Sequence, residues 1–471
     1  MDKKSFYITT TIPYVNADPH IGFALELVQS DAIARYRRLI GEEVFFSTGT
    51  DEYGQKIWEG SQKENKDVKD YVDYYAEKFI DLAKKLNLSN DNFIRTTSDA
   101  NIKAAQEFWK LCDQNGDIYK KKYKGLYCVG CEKFLTEKDF VDGKCVFHPN
   151  LVPEMIEEEN YFFKLSKYRE KLLEYLSQEN VILPEWRRKE ALEYVQGAMD
   201  DFSISRSKER LAWGIAIPGD DTQVMYVWFG AFINYIATLG WPQNNVLFEK
   251  FWQGGTTVQT AGKDMVKFQS VMWQGMLMSA GLKATDYIVY HGFVTGEGGV
   301  KMSKSLGNVI SPLDIVEEYG TDALRYFLLR EISSFEDSPF TIERFKDAYN
   351  SGLANGLGNL VSRIMTLAES NLDKPTEIAE WEDLSEYLDL LNKFEVNLAA
   401  NYVWNKIGAL DREIQEKKPW ESKDKDIISG LVQKLYSIAR MLNPLMPETS
   451  AKIKELIKVN KKPEVPLFLR K

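Results

Sequence analysis

Three sets of residues in this 471-residue chain combine types and spacings that can do chemistry. In ADPHIGFALE (residues 17–26), His20 stands between Pro19 and the pair Ile21-Gly22, where a strand gives way to a helix. A helix N-terminus at that point faces amide N–H groups toward an anion, and Gly22 lets a flat ligand approach the backbone. In KMSKSLGN (residues 301–308), Lys301 and Lys304 lie three apart in a glycine-bracketed loop, a pair of cations suited to a polyphosphate. The third set, Cys128, Cys131, Cys145 and His148, reads C-x2-C, thirteen residues, C-x2-H. Three thiolates and an imidazole complete a tetrahedral Zn²⁺ shell with no position left for water, so the expected metal is structural. Each set has a plainer reading when taken alone: a locally bonded histidine, a solvated Lys-Ser turn, or small buried residues.

The elements that must position these groups follow from periodicity. Residues 5–12 (SFYITTTI) are β-branched and aromatic, and from Ile21 apolar residues recur at helical spacing until Gly41. VFFSTG (residues 44–49) reads as a second buried strand, with GTDEYG turning the chain at its carboxyl end. Strands alternating with amphipathic helices predict an α/β fold with a parallel sheet, whose ligands sit at strand carboxyl ends. Both His20 and Asp51 fall at such ends. The pattern breaks near residue 116 and resumes near 224, with a strand, turn and helix in VQTAGKDMVKFQSVMWQGMLMSAG and another strand in DYIVYHGFV. From about residue 341 the periodicity is helical throughout. The predicted order is therefore a first half of the sheet domain (1–115), an insertion carrying the zinc knuckle (116–223), a second half (224–300), the lysine loop and a stem-contact region (301–340), and an α-helical bundle (341–471).

Composition narrows the function classes. A net charge of −10 argues against non-specific coating of nucleic acid, which needs a surplus of cations along the phosphate backbone. Lys120, Lys121, Lys122 and Lys124 form the densest basic run and read as a solvated face. No secretory signal is recognisable at MDKKSFYITTTIPY, which predicts a cytoplasmic protein. The apolar stretch 224–241 is interrupted by Asn234 and Thr238, so it predicts buried core and not a membrane span. Asn359 and Arg363, spaced i, i+4, share a helix face that can offer donors to unstacked bases, and Trp420 in KKPWES can stack on one.

Taken together, TIPYVNADPHIGF, GTDEYGQKI, the cysteine-bearing insertion, DFSISR with WGIAIPGDD, YVWFGAFINY, GKDMVKF, KMSKSLGN and NGLGNLVSR resemble the methionyl-tRNA synthetase family of class I aminoacyl-tRNA synthetases. The resemblance spans nearly the whole chain and implies a split Rossmann-type sheet with a zinc-knuckle insertion, followed by a helical anticodon-binding domain. It implies attack of the methionine carboxylate on the ATP α-phosphate, with release of pyrophosphate, and then transfer of the aminoacyl group to the terminal adenosine of tRNA(Met). Mg²⁺ accompanies ATP.

By the same resemblance His20 contacts phosphate, Gly22 packs under adenine, and Lys301 and Lys304 hold the departing pyrophosphate. Thr10 and His291 fall near ATP, with a strand-end hydrogen bond as the competing reading for His291. Ile12, Pro13, Tyr14, Trp228, Ala231, Tyr235 and Gln269 surround methionine, whose α-ammonium pairs with Asp51; a polarizable sulfur suits aromatic edges and a hydroxyl. Asn359, Arg363 and Trp420 occupy positions that read the CAU anticodon. The lack of a further C-terminal domain implies a monomer.

The chain departs from the family pattern at four places. Phe23 replaces the second signature histidine, Gly230 an Asp, Phe232 a Pro or Leu, and Gln269 a pocket histidine. The alternatives are a class I synthetase for another amino acid, a non-catalytic tRNA-binding relative, and a nucleotidyltransferase that needs no tRNA. The presence of His20, Asp51, Lys301 and Lys304 speaks against the second, and Asn359, Arg363 and Trp420 speak against the third.

Overall fold

The computed structural model describes residues 3–129, 133–135, 139–141, 143–146, 150–300, 302, 310–378 and 384–471. The chain divides into two units, one comprising Met1–Pro19, Val44–Asp81 and Asn90–Tyr290, the other His20–Glu43, Leu82–Ser89 and His291–Lys471.

The first unit is organised by a six-stranded sheet. Strands β1 (Ser5–Thr9), β2 (Glu43–Thr50) and β3 (Asn92–Arg95) form one side in the order β3-β2-β1, and Thr256–Gly262, Tyr287–His291 and Ile182–Leu183 continue it beyond β1. β1 runs parallel to Thr256–Gly262, and β2 runs parallel to β3. The strand order thus reverses at β1, which makes its carboxyl end a topological switch point. β1 stops at Thr9, short of the expected Ile12, because the chain leaves the sheet to form the loop that carries Thr10 to Tyr14.

Within the insertion, Ile118–Cys128 pairs antiparallel with Glu154–Phe163. The register sets Lys122 opposite Glu159 and Lys124 opposite Glu157, so the basic run lies against an acidic strand. The Lys124–Glu157 pair closes to 3.4 Å, and Lys120 pairs with Asp220 at 2.9 Å.

The aromatic stretch 224–241 becomes the end of a strand followed by the short helices Val227–Phe232 and Asn234–Ala237. It packs in the apolar core with Trp252 and Trp273. Among the described residues, no helix is long and apolar enough to cross a membrane.

The second unit contains helix α1 (Ile21–Leu39) and the helices of the C-terminal region, among them Asn359–Asn371, Val396–Lys417, Lys425–Leu442 and Pro447–Val459. Apolar residues at three- and four-residue spacing put one face of each inside, as Ile428, Leu431, Val432, Leu435 and Ile438 do on Lys425–Leu442.

Candidate active site

In the first unit the loop after β1 and the end of β2 are stitched together. Tyr14 and Asp51 form a parallel bridge; the Asp51 amide donates to the Pro13 carbonyl at 2.9 Å and the Val15 amide to the Asp51 carbonyl at 3.2 Å. Asp51 is 5% exposed, and its Oδ1 accepts from Thr96 Oγ1 at 3.4 Å and from the Tyr53 amide at 3.5 Å. Beside it, Glu52 holds Arg95 at 2.6 and 2.9 Å and accepts the Thr50 hydroxyl at 2.7 Å. Burial, with Glu52 and Asp51 nearby, pushes the Tyr53 hydroxyl up to about 12, so it stays protonated through the neutral range. Trp213 donates from Nε1 to the Glu52 carbonyl at 2.6 Å, and its ring lies 5.2 Å from that of Tyr53.

Helix Val227–Phe232 and the residues after it bring Trp228, Ala231 and Tyr235 into the same unit. Trp228 stacks on Phe268 at 4.2 Å and 19°. Tyr235 Oη donates to Gln269 Oε1 at 3.3 Å, while the Tyr235 carbonyl accepts from Tyr7 at 2.8 Å. Gln269 is fully buried, and among the described residues its Nε2 has no hydrogen-bond partner, an arrangement that a ligand acceptor would satisfy. Gly230 sits where an added Cβ would lie 3.0 Å from Ile215, so a larger side chain there would displace that residue. Thr10 is buried with its hydroxyl 2.7 Å from that of Thr48 and 2.8 Å from the Thr11 carbonyl.

In the second unit His20 caps α1. The Gly22 amide donates to His20 Nδ1 at 3.1 Å, so the neutral imidazole carries its proton on Nε2, a donor at a helix N-terminus. Phe23 stacks on that ring at 4.3 Å and 27°. A Cβ on Gly22 would meet the His20 ring at 3.0 Å, so glycine keeps the histidine close to the helix axis. His291, 7% exposed, has Nδ1 2.8 Å from the Gly292 carbonyl and Nε2 2.8 Å from Glu26 Oε2.

Asn359 and Arg363 lie on one helix, with Asn359 exposed and Arg363 paired to Asp411 at 2.5 Å. Trp420 is 43% exposed in the short helix Pro419–Ser422. Cys128 and Cys145 are each 1% exposed and share a small apolar cluster with Leu135. Lys301, Lys304, Cys131 and His148 lie outside the described residues. Among the described residues no group of three or more His, Cys, Asp and Glu is arranged to hold a metal ion.

The profile described as "tRNA synthetases class I (M)" matches residues 6–150 and 148–365. Methionine–tRNA ligase of Thermotoga maritima is 38% identical over 97% of this chain and 76% of its own length. That of Rhizobium meliloti is 37% identical over 97% and 92%. The chain belongs to the methionine branch of the class I tRNA synthetases. Among solved structures, Mycobacterium tuberculosis methionyl-tRNA synthetase in complex with methionyl-adenylate aligns with a TM-score of 0.89 and 34% identity, covering 96% of this chain and 94% of that one.

Sequence reasoning about this branch missed the supports. Arg95 carried no motif, and Glu52 and Phe268 lay inside quoted motifs without an assigned part. The signal that could have found Glu52 is a second carboxylate next to Asp51, which needs a cation if both are buried.

Proposed function

We propose that the methionine–tRNA ligase activity of this chain is divided among its residues as follows. Asp51 pairs with the α-ammonium of methionine. Ile12, Pro13 and Tyr14 shape the backbone beside it, while Trp228, Ala231, Tyr235 and Gln269 enclose the thioether. His20 donates from Nε2 to an ATP phosphate, Gly22 leaves room for adenine, and Lys301 and Lys304 stabilise the charge that grows on the leaving pyrophosphate. The work is positioning and electrostatic stabilisation, since the attacking carboxylate is already ionised at neutral pH. Asn359, Arg363 and Trp420 contact the anticodon of tRNA(Met), with Asp411 orienting the Arg363 guanidinium.

The observation that carries this reading is the buried Asp51 carboxylate, bridged through its backbone to Tyr14 and backed by Glu52–Arg95. A buried carboxylate beside a strand-end loop suits a ligand cation. ATP–pyrophosphate exchange with each of the twenty amino acids in turn tests it. Exchange with methionine alone is expected, and exchange with a different amino acid would overturn the assignment.

For the insertion, the reading is one structural Zn²⁺ on Cys128, Cys131, Cys145 and His148. Two of the four thiol and imidazole donors are buried together at the ends of their strands, which fits a soft metal. When bound, zinc supplies a crosslink between the two knuckles. Protein purified without added zinc should carry close to one equivalent; less than half would count against it.

A further inference from the structure

Glu26 is a carboxylate on α1, buried to the same 7% exposure as its partner His291. Its Oε2 lies 2.8 Å from His291 Nε2, and His291 Nδ1 lies 2.8 Å from the Gly292 carbonyl. A carbonyl oxygen only accepts, so Nδ1 carries a proton and Nε2 shares one with the carboxylate. Both ring nitrogens therefore have partners within the protein.

His291 starts the segment that leads into the lysine motif. After it, the Phe293 amide donates to Asp337 Oδ1 at 2.9 Å, and Gly292 runs so close to Glu336 that a Cβ there would lie 2.1 Å from its carbonyl carbon. The Gly296 amide then donates to the Val300 carbonyl at 2.7 Å, immediately before Lys301. On the far side of the motif, the Ile310 carbonyl accepts the Ile21 amide at 3.2 Å, one of the N–H groups that a helix start leaves unpaired. Residues on both sides of the lysine motif are thus tied to α1, one at Ile21 between His20 and Gly22, the other at Glu26.

We infer that Glu26 and His291 are a positioning pair for adenylate formation: their contact fixes the start of the segment His291–Val300 on the helix whose first turn carries His20. This rests on the reading that His20 and the lysines serve the phosphates. Neither Glu26 nor His291 needs to touch ATP.

The test compares Glu26→Gln, His291→Gln, the double variant and His20→Ala in ATP–pyrophosphate exchange, with thermal unfolding measured alongside. Each single variant is expected to lose kcat by about thirty- to a hundredfold, the scale of a misplaced reacting group, with the KM for methionine within about threefold of the parent. The double variant should lose no more than the worse single, because the two residues act as one unit. Losses that multiply in the double variant, or a methionine KM that rises as much as kcat falls, would overturn the proposal. Should Glu26→Gln not fold, Glu26→Asp keeps the charge and draws it back by one methylene; an intermediate kcat supports the pair, and a parental kcat refutes it. If His20→Ala is fully active while the pair variants are slow, the role given to His20 fails and the pair stands through the segment that leads to the lysines. If His20→Ala is slow and the pair variants are fast, the pair fails alone.

Discussion

Glu52 in the first unit and Asp31 in the second are both fully buried carboxylates facing an arginine, and they serve different ends. Glu52 meets Arg95, whose side chain is 27% exposed, and its neighbours in sequence and space are Asp51 and Thr96. Asp31 meets Arg325 at 2.7 Å with neither side chain exposed, and Arg35 and Ser89 complete its shell. The remaining donors of Arg325 reach the carbonyls of Leu445, Pro444 and Leu86 at 2.9, 3.0 and 3.2 Å. One pair lies beside Asp51, the carboxylate proposed to pair with the methionine ammonium, and the other fastens α1 to distant parts of its own unit. A buried charge alone therefore does not mark a functional site; the deciding feature is whether its neighbours leave a group directed at a ligand.

The comparison breaks most visibly at Arg325. Arg325→Ala strands Asp31 in the core and should cost about 3–5 kcal/mol of stability, read as a fall in the denaturation midpoint; a loss under about 1 kcal/mol would show that the knot is dispensable. pH sharpens the same point. Burial pushes the Asp31 carboxyl up, but Arg325, Arg35 and Ser89 more than offset this and hold it below the usual range. Its contribution is thus fully present above the unfolded value of about 3.9 and lost as pH falls through the folded value. The stability gap between the protein and Asp31→Asn should shrink below about pH 4, and a gap constant with pH would contradict the assignment.

On the ligand side, Asp51→Ala should leave folding nearly intact and lower kcat/KM for methionine by on the order of a hundredfold, as expected for a lost partner of a buried cation. The KM for ATP should move far less. Equal effects on both substrates would remove the ammonium-binding role. Smaller again, Gln269→Leu should weaken methionine by about tenfold, the scale of one hydrogen bond; unchanged methionine kinetics would mean that its buried amide serves packing. The smallest effect is expected at Phe23, which stacks on His20 where the family carries a second histidine. Phe23→His should raise the adenylation rate by up to about tenfold, and no gain would show that the donor is supplied elsewhere.

Legibility differed between the two ends of the chemistry. The helix start at His20 and Gly22 could be read because both lie in one turn, whose geometry is fixed by a local hydrogen bond. Asp51 was legible as a strand-end carboxylate. Its supports were not, because Thr96 reaches Asp51, and Arg95 and Trp213 reach its neighbour Glu52, from segments separated by tens to more than a hundred residues. His291 shows the limit most sharply: its place in YHGFVTG suggested a position near ATP, but nothing local in the sequence pointed to its partner Glu26, 265 positions away in the chain.

What the sequence determined by itself was everything set by local periodicity and motif: the alternating strands and helices, the helical C-terminal region and the family. Tertiary structure alone decided which polar groups are spent on one another. A hydrogen bond or ion pair depends on distances of about 3 Å, and only the packed chain brings Glu26 to His291, Asp31 to Arg325 and Tyr235 to Gln269 at that range.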